Sequence, residues 1–598
     1  MSQSNYRATG FIIFFCLLSL IIFFKLFLFT VIQYDNWADL AHSQVTRQVI
    51  VEPLRGRILS SDDQTVLAES EVNVSLAIDT FKIRSTKQDV QISKHLAEIL
   101  DLPVELVLSN IHSKHCASWV KRDITPAEFQ QIQQLQHSGR LPGVCIRREI
   151  KRKYPCHPLA ATIIGFAIGQ HEEGFEPLGT YSNLHGIEGL EYAYNTVLAG
   201  RQGRYEYLVN RYSAPDQNSV KILEPLQNGF DLRTTIDIRL QNIVHEELAK
   251  ALLEEKAVSV MAVIVDPTDG SILASCSIQA ASETEDFNSD LPVNCWLPEM
   301  RRHLPAFAVF EPGSIWKPII MSIALENQLV VQDEMIPWNE SVVCGTKRFH
   351  DWKSFPPELK LDEILIHSSN VGIIQVSQRL FANRSHQFIS HEIKRMGFLR
   401  NIPVDYPVQP YGMLYPEMWG PISVGALAEG YEVGVTLIQM AAFYCAVANG
   451  GYLVDPHFGS AILNPSDGHV VRELNYKPDI RIMSDSTSTF IRKAMIQCVK
   501  KGTGKKANLD YLGCQVAGKT ATAKLLVDGS YASGKYRASF AGFLPADNPQ
   551  MVILVSIEDP GAGAYYGGAI AAPLFHKIAK RILLECFNDI PLMEVLGC

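Results

Sequence analysis

The hydrophobic pattern changes character along the chain, and each change marks an element. From Phe11 to Ile32 nearly every one of 22 positions is apolar. At ~1.5 Å per residue such a run reaches roughly 33 Å, enough to cross a bilayer as a helix. Lys25 interrupts it past the centre, where a cost of ~3 kcal/mol can be relieved by reaching toward an interface or by facing a partner helix. Tyr34 and Trp37 follow where an aromatic belt belongs. A cleaved signal peptide is the competing expectation, but the run exceeds a signal core and Phe29-Thr-Val-Ile32 offers no small-x-small site. The pattern predicts an uncleaved anchor over 11–32, a cytoplasmic tail over 1–10 and the functional mass on the far side.

Beyond the anchor, residues 35–225 mix strand and helix periods. Val74-Ser-Leu-Ala-Ile-Asp79 alternates like a strand, whereas His95-Leu-Ala-Glu-Ile-Leu100 and Ala127-Glu-Phe-Gln-Gln-Ile132 have helical spacing. A strand start at Gly229–Asp237, an amphipathic helix over Ile238–Glu255 and a buried strand over Val258–Val265 open a second domain, 226–598. That strand closes on the turn Asp266-Pro-Thr-Asp-Gly270. Near the other end, Ala538–Leu544 and Met551–Ile557 are apolar runs joined by the turn Pro545–Pro549, before a helix over Leu574–Leu584. Turn-joined strands between helices predict an antiparallel sheet in an α+β architecture.

With 598 residues the chain exceeds one hydrophobic core, and 47% hydrophobic with 20% charged residues is a globular composition. A net charge of −9 argues against nucleic acid as a partner. The 12 cysteines form no CxxC pair, so most read as core thiols, while an exported protein can link some in disulfides. His112 with His115, and His386 with His391, lack a third ligand; no metal and no cofactor is expected.

Three strings carry candidate chemistry. Ser314-Ile-Trp-Lys317 follows Glu311-Pro-Gly, a helix-start signal, so serine and lysine are neighbours at i and i+3. A desolvated lysine there loses its charge near neutral pH and can take the serine proton. The string alone is weak, since Ser118-Trp-Val-Lys121 matches it equally. Ser368-Ser-Asn370 comes 54 residues later; its first hydroxyl can relay a proton and Asn370 can hold a substrate amide, although a helix cap reads the same. Lys519-Thr520-Ala521-Thr522 follows after 151 more, and a lysine with two hydroxyls on an edge strand makes a carboxylate clamp. In this order the strings supply a nucleophile, a base, a proton shuttle and an anion site.

The third string also lies inside Gly513-Cys-Gln-Val-Ala-Gly-Lys519-Thr520, a literal GxxxxGK[ST] phosphate loop. That motif needs a buried strand before it and a helix after it. Here Ala507–Tyr511 is polar, and Gly529, Tyr531 and Gly534 interrupt any helix. No GxSxG elbow surrounds Ser314, which weighs against a Ser-His-Asp hydrolase.

At these residues the chain resembles the class B penicillin-binding proteins, single-pass D,D-transpeptidases that crosslink peptidoglycan. Arg55-Gly-Arg-Ile-Leu59 resembles the family's juxtamembrane motif, and Tyr154-Pro155, Ile164-Gly-Phe166 and Gly186-Ile-Glu-Gly-Leu-Glu191 resemble the pedestal (dimerisation-like) domain, over 35–225. Thr235-Ile-Asp237 with Gln241, Glu311–Lys317, Gly502-Thr-Gly-Lys505 and Val516–Thr520 resemble the penicillin-binding transpeptidase domain, whose fold is that of the serine β-lactamases. The resemblance implies Ser314 as acylated nucleophile, Lys317 as general base and Ser368 as proton shuttle. It implies Asn370 for the donor peptide and Lys519, Thr520 and Thr522 for the terminal carboxylate, with an oxyanion hole from the N–H groups of Ser314 and Thr522. Donor and acceptor stem peptides are the implied substrates and β-lactams the covalent inhibitors. A membrane glycosyltransferase and other divisome proteins are the implied partners, on the periplasmic side of the inner membrane.

Two positions depart from the family pattern. Ser60-Ser61 stands where an Asp-Arg is usual, and Ala521 where the third motif ends in glycine. The added methyl is expected to narrow the substrate groove and alter acylation rates without removing a reacting group. Gly430–Gln439, followed by Ala446–Gly451, resembles the division-specific (septal) branch more than the elongation branch. A β-lactam sensor or β-lactamase, and a catalytically impaired divisome scaffold, are the remaining alternatives.

Overall fold

The computed structural model describes residues 2–171, 181–209, 216–280, 302–400, 404–407, 410–527 and 529–586. They form two compact units, one of Met1–Leu54 with Gly200–Gly229, the other of Arg55–Ala199 with Phe230–Cys598. In the first unit a helix over Ser2–Phe27 continues as a π-helix over Leu28–Ile32. Thr9–Ile32 is its membrane-length apolar part. Its large apolar side chains are exposed around the whole circumference, from Phe11 to Ile32. A helix apolar on nearly every face has little polar surface to give to water, and by length and composition it fits a single-pass membrane anchor. The helix Tyr34–Val45 leads into a three-stranded antiparallel sheet of Thr46–Val51, Gly203–Leu208 and Lys221–Glu224.

In the second unit the strand Val66–Asp79 pairs antiparallel with Val144–Lys153 and Ala117–Lys121. Helices Asp89–Leu100, Val104–Ile111 and Pro126–His137 contribute Leu96, Val107 and Ile132 to the core beneath. Glu191 lies at a buried junction, with Arg55 Nε 2.6 Å from one carboxylate oxygen and Arg152 Nε 2.6 Å from the other. The sequence segments around Arg55 and Glu191 thus meet in one ion triad. Ile58–Leu59 pairs in parallel with Asp231–Thr234, so a single seven-stranded sheet runs across residue 225.

The part of this unit after Phe230 includes α1 (Ile238–Glu255), β1 (Ser259–Val265) and β2 (Ile272–Gln279). Then come α2 (Lys317–Glu326), α3 (Asn370–Asn383), α4 (Leu437–Ala448) and α5 (Asp485–Lys500). The segment β3 (Ala517–Val527), β4 (Ser530–Leu544), β5 (Met551–Glu558) and α6 (Ala571–Glu585) completes it. The five strands form an antiparallel sheet in the order β2-β1-β5-β4-β3. Strand alternation divides the core in two. Val260, Ala262 and Ile264 face α1 and α6, whereas Met261, Val263 and Val265 join the cluster containing α4. All 12 residues of α4 are buried, which its unbroken apolar run requires. At about 2 kcal/mol per large side chain, these two layers fix the sheet and leave β3 as its edge.

The ten described cysteines are free thiols, among them buried Cys276, Cys344, Cys445, Cys498 and Cys514. Cys295 and Cys598 lie outside the described residues. His112 pairs with Asp89 at 2.9 Å, and His386 packs between Phe381 and Trp419.

Candidate active site

Ser314 sits in a 3₁₀ turn, Gly313–Trp316, that runs directly into α2 at Lys317. In a 3₁₀ turn residues i and i+3 eclipse, so Ser314 and Lys317 share one side more closely than on an α-helix. The turn is held from behind. Trp316 is fully buried against Phe398, and Tyr444 Oη donates to the Ile315 carbonyl at 2.9 Å. Gly313 has φ +59° and donates its N–H to the Gly430 carbonyl at 3.1 Å. A Cβ on Gly430 would lie 2.2 Å from the Gly313 oxygen, so that approach requires glycine. These contacts leave Ser314 partly exposed while Lys317 is fully buried.

The second string forms the turn before α3. Ser369 caps the helix, accepting from the Gly372 N–H, while Ser368 takes the left-handed conformation at φ +57°. Lys317 Nζ donates to the Ser368 carbonyl (2.7 Å), to Ser368 Oγ (3.3 Å) and to Asn370 Oδ1 (2.6 Å). Lys519 reaches the same hydroxyl from β3, with Nζ 2.9 Å from Ser368 Oγ and 3.1 Å from the Thr520 carbonyl. Burial, and then the charge of Lys519, push Lys317 down to about 7. Burial pushes Lys519 down to about 8. The partly buried Glu429 carboxyl, raised by desolvation, offers Lys317 a partial counter-charge.

Lys519, Thr520 and Thr522 lie in the middle of β3, with Lys519 opposite Ala541 and Ala521 opposite Ser539 on β4. A lysine inside an edge strand cannot serve a phosphate loop, which sits between a strand and a helix. Thr520 Oγ1 is 2.6 Å from Thr503 Oγ1, and Thr522 Oγ1 accepts from the Gly567 N–H at 2.9 Å. The Ser314 turn rests on this strand, since a Cβ on Gly313 would lie 3.2 Å from Ala523 Cβ and 3.5 Å from the Thr522 oxygen. Ala521 differs from its expected effect. It is 3% exposed, in the buried cluster that includes Ala517, Ala541 and Phe543, so its methyl lines no open groove.

All seven sequence-predicted residues therefore lie on elements that meet around Ser368. Sequence reasoning missed Asp351, whose carboxylate accepts from Ser369 Oγ at 2.6 Å, as well as Thr503, Glu429 and Gly567. Thr503 lay within the quoted Gly502–Lys505 segment, but its hydroxyl carried no signal of its own; the other three lie outside the three strings.

Residues 260–580 match the penicillin binding protein transpeptidase domain, and residues 50–234 match the penicillin-binding protein dimerisation domain. The chain belongs to the penicillin-binding protein transpeptidases, in the class B form in which a dimerisation domain precedes the catalytic one. It is 29% identical over 552 residues, covering 92% of this chain and 87% of the relative, to the probable peptidoglycan D,D-transpeptidase PenA of Neisseria meningitidis. To stage V sporulation protein D of Bacillus subtilis it is 27% identical over 558 residues, covering 92% and 81%. To peptidoglycan D,D-transpeptidase FtsI of Escherichia coli it is 29% identical over 503 residues, covering 82% and 76%. The fold matches penicillin binding protein 2X of Streptococcus thermophilus with a TM-score of 0.73 at 18% identity, over 92% of this chain and 82% of that one.

Proposed function

We propose that this transpeptidase crosslinks peptidoglycan stem peptides through a Ser314 acyl-enzyme. The observation that carries the reading is the Ser368 hydroxyl shared by two buried lysines, Lys317 and Lys519. Neutral Lys317 takes the proton of Ser314, whose oxygen attacks the penultimate D-Ala carbonyl of the donor. The C–N bond breaks, Ser368 passes a proton to the departing D-Ala amine, and an ester remains on Ser314. An amine of a neighbouring strand then attacks that ester and regenerates the serine. Asn370 holds the donor amide; Lys519, Thr520 and Thr522 hold its carboxylate. The N–H groups of Ser314 and Thr522 stabilise the oxyanion, at ~3 kcal/mol per donor.

A β-lactam presents the same acyl group and carboxylate, and its ester persists on Ser314. The apolar helix anchors the catalytic domain on the periplasmic side, where the reaction serves the division septum beside a membrane glycosyltransferase and other divisome proteins. The septal assignment rests on the resemblance of Gly430–Gln439. Mass spectrometry of the full-length protein after penicillin treatment, with peptide mapping, tests the chemistry. The expected result is a stable adduct on Ser314, absent from Ser314→Ala. An adduct elsewhere, or rapid turnover of the penicillin, would overturn it.

A further inference from the structure

Three consecutive residues, His350 at the end of the strand Lys347–His350 and then Asp351 and Trp352, hold the turn that carries Ser368 and Asn370. The Asp351 carboxylate accepts from Ser369 Oγ (2.6 Å), the Asn370 N–H, the Val371 N–H (3.3 Å) and Trp338 Nε1 (2.8 Å). The His350 carbonyl accepts from Asn370 Nδ2 at 3.2 Å, and Trp352 Nε1 donates to the His367 carbonyl at 3.1 Å. A non-glycine residue at φ +57°, as Ser368 is, keeps that conformation only when its surroundings impose it. Upstream, Lys317 holds the Ser368 carbonyl; downstream, three of the four groups on Asp351 belong to the next three residues.

We infer that Asp351 is a positioning residue for acyl transfer, fixing through Ser369 and the Asn370 and Val371 backbone the turn that presents Ser368 to Lys317 and Lys519. Its four partners are protein groups outside the proposed reacting atoms, and the inference rests on the roles proposed above for Ser314, Lys317 and Ser368. The same carboxylate acts electrostatically. Around Lys317, Lys519 on β3 disfavours the ammonium, while Glu429 at the end of the helix Ser423–Glu429 and Asp351 favour it. Removing the Asp351 charge therefore weakens proton binding at Lys317 and moves the rising limb of the pH profile toward acid.

The test measures acylation of the full-length protein in detergent by a fluorescent penicillin across pH. Asp351→Asn is expected to slow acylation at saturating ligand at least ten-fold. The half-saturating concentration should change less than two-fold, and the rising limb should shift to lower pH. Ser369→Ala, which keeps the charge, should slow acylation with the limb in place, and Ser369→Thr should restore it. Asp351→Asn and Ser369→Ala both within two-fold of the parent, with the limb unmoved, would overturn the inference. Should Asp351→Asn not fold, the Ser369 pair decides: Ser369→Ala acylating like the parent overturns it, and loss with Thr rescue supports it. A parent with no adduct on Ser314 defeats the proposed function; an acylated parent matched by its variants defeats only this inference.

Discussion

The ammonium of Lys519 lies 2.9 Å from the hydroxyl of Ser368, the group that Lys317 also approaches at 3.3 Å. Two buried cations on one hydroxyl cannot both stay charged cheaply, and both are pushed down from the usual lysine range. The proposed mechanism needs Lys317 neutral as base and Lys519 charged as carboxylate clamp. Acylation by a penicillin should therefore rise through pH 7 as Lys317 loses its proton and fall above pH 8 as Lys519 loses its own. The rising limb reflects Lys317 together with the charges around it, Lys519 among them, and the falling limb reflects Lys519, which burial pushes down. Stopped-flow acylation rates from pH 5 to 10 give the profile; a rate that keeps climbing above pH 9 would remove Lys519 as a charged clamp.

Thr503 sets the direction of the Thr520 hydroxyl at 2.6 Å. Gly502, beside it, leaves no room for a side chain, because a Cβ there would lie 2.1 Å from the Ile366 oxygen. The segment thus links the clamp to the turn carrying Ser368. Thr503→Val removes one hydrogen bond of about 1 kcal/mol, so affinity for a carboxylate-bearing donor peptide should fall about five-fold. The amide analogue of the same peptide should be indifferent, and Thr503→Ser should recover the loss. Equilibrium binding to Ser314→Ala carrying each change measures this without turnover.

The elements legible along the chain were those whose periodicity one core enforces. The predicted helix Ile238–Glu255 has the observed bounds of α1, and β1 and β5 fall on their predicted apolar runs. Order and spacing of three strings brought out Ser314, Lys317, Ser368, Asn370, Lys519, Thr520 and Thr522. Asp351 was illegible because it acts through a tertiary contact from a polar loop, where no period exists to betray it. The parallel pairing of Ile58–Leu59 with Asp231–Thr234 was hidden for a related reason: a two-residue strand has no alternation to read, and its partner lies far along the chain.

Ala521 now has a different expectation from that of a groove-lining methyl. With 3% exposure it fills core space beneath β3. Ala521→Gly should cost about 1 kcal/mol, from lost packing and a more flexible unfolded chain, and lower the melting temperature by a few degrees. Acylation rates for several β-lactams should stay within two-fold of the parent. A larger rate change with unchanged stability would return the methyl to the substrate groove.

The triad of Arg55, Glu191 and Arg152 offers the sharpest stability test. Glu191 has no exposed side-chain surface and is bonded to both guanidiniums; Arg55 also donates to the Leu184 carbonyl and Asn195 Oδ1. Replacing a whole buried ion cluster by apolar residues can be neutral, but removing only its anion leaves two desolvated cations facing each other. Glu191→Ala should destabilise the fold by about 3–5 kcal/mol, whereas Glu71→Ala, at the exposed Lys153 pair, should cost under about 1 kcal/mol. Denaturant unfolding followed by tryptophan fluorescence compares the two. Because the triad lies outside the acylation chemistry, the Glu191→Ala molecules that remain folded should label with penicillin at the parental rate. Slow labelling of that folded fraction would mean that the triad reaches the catalytic turn as well as the pedestal core.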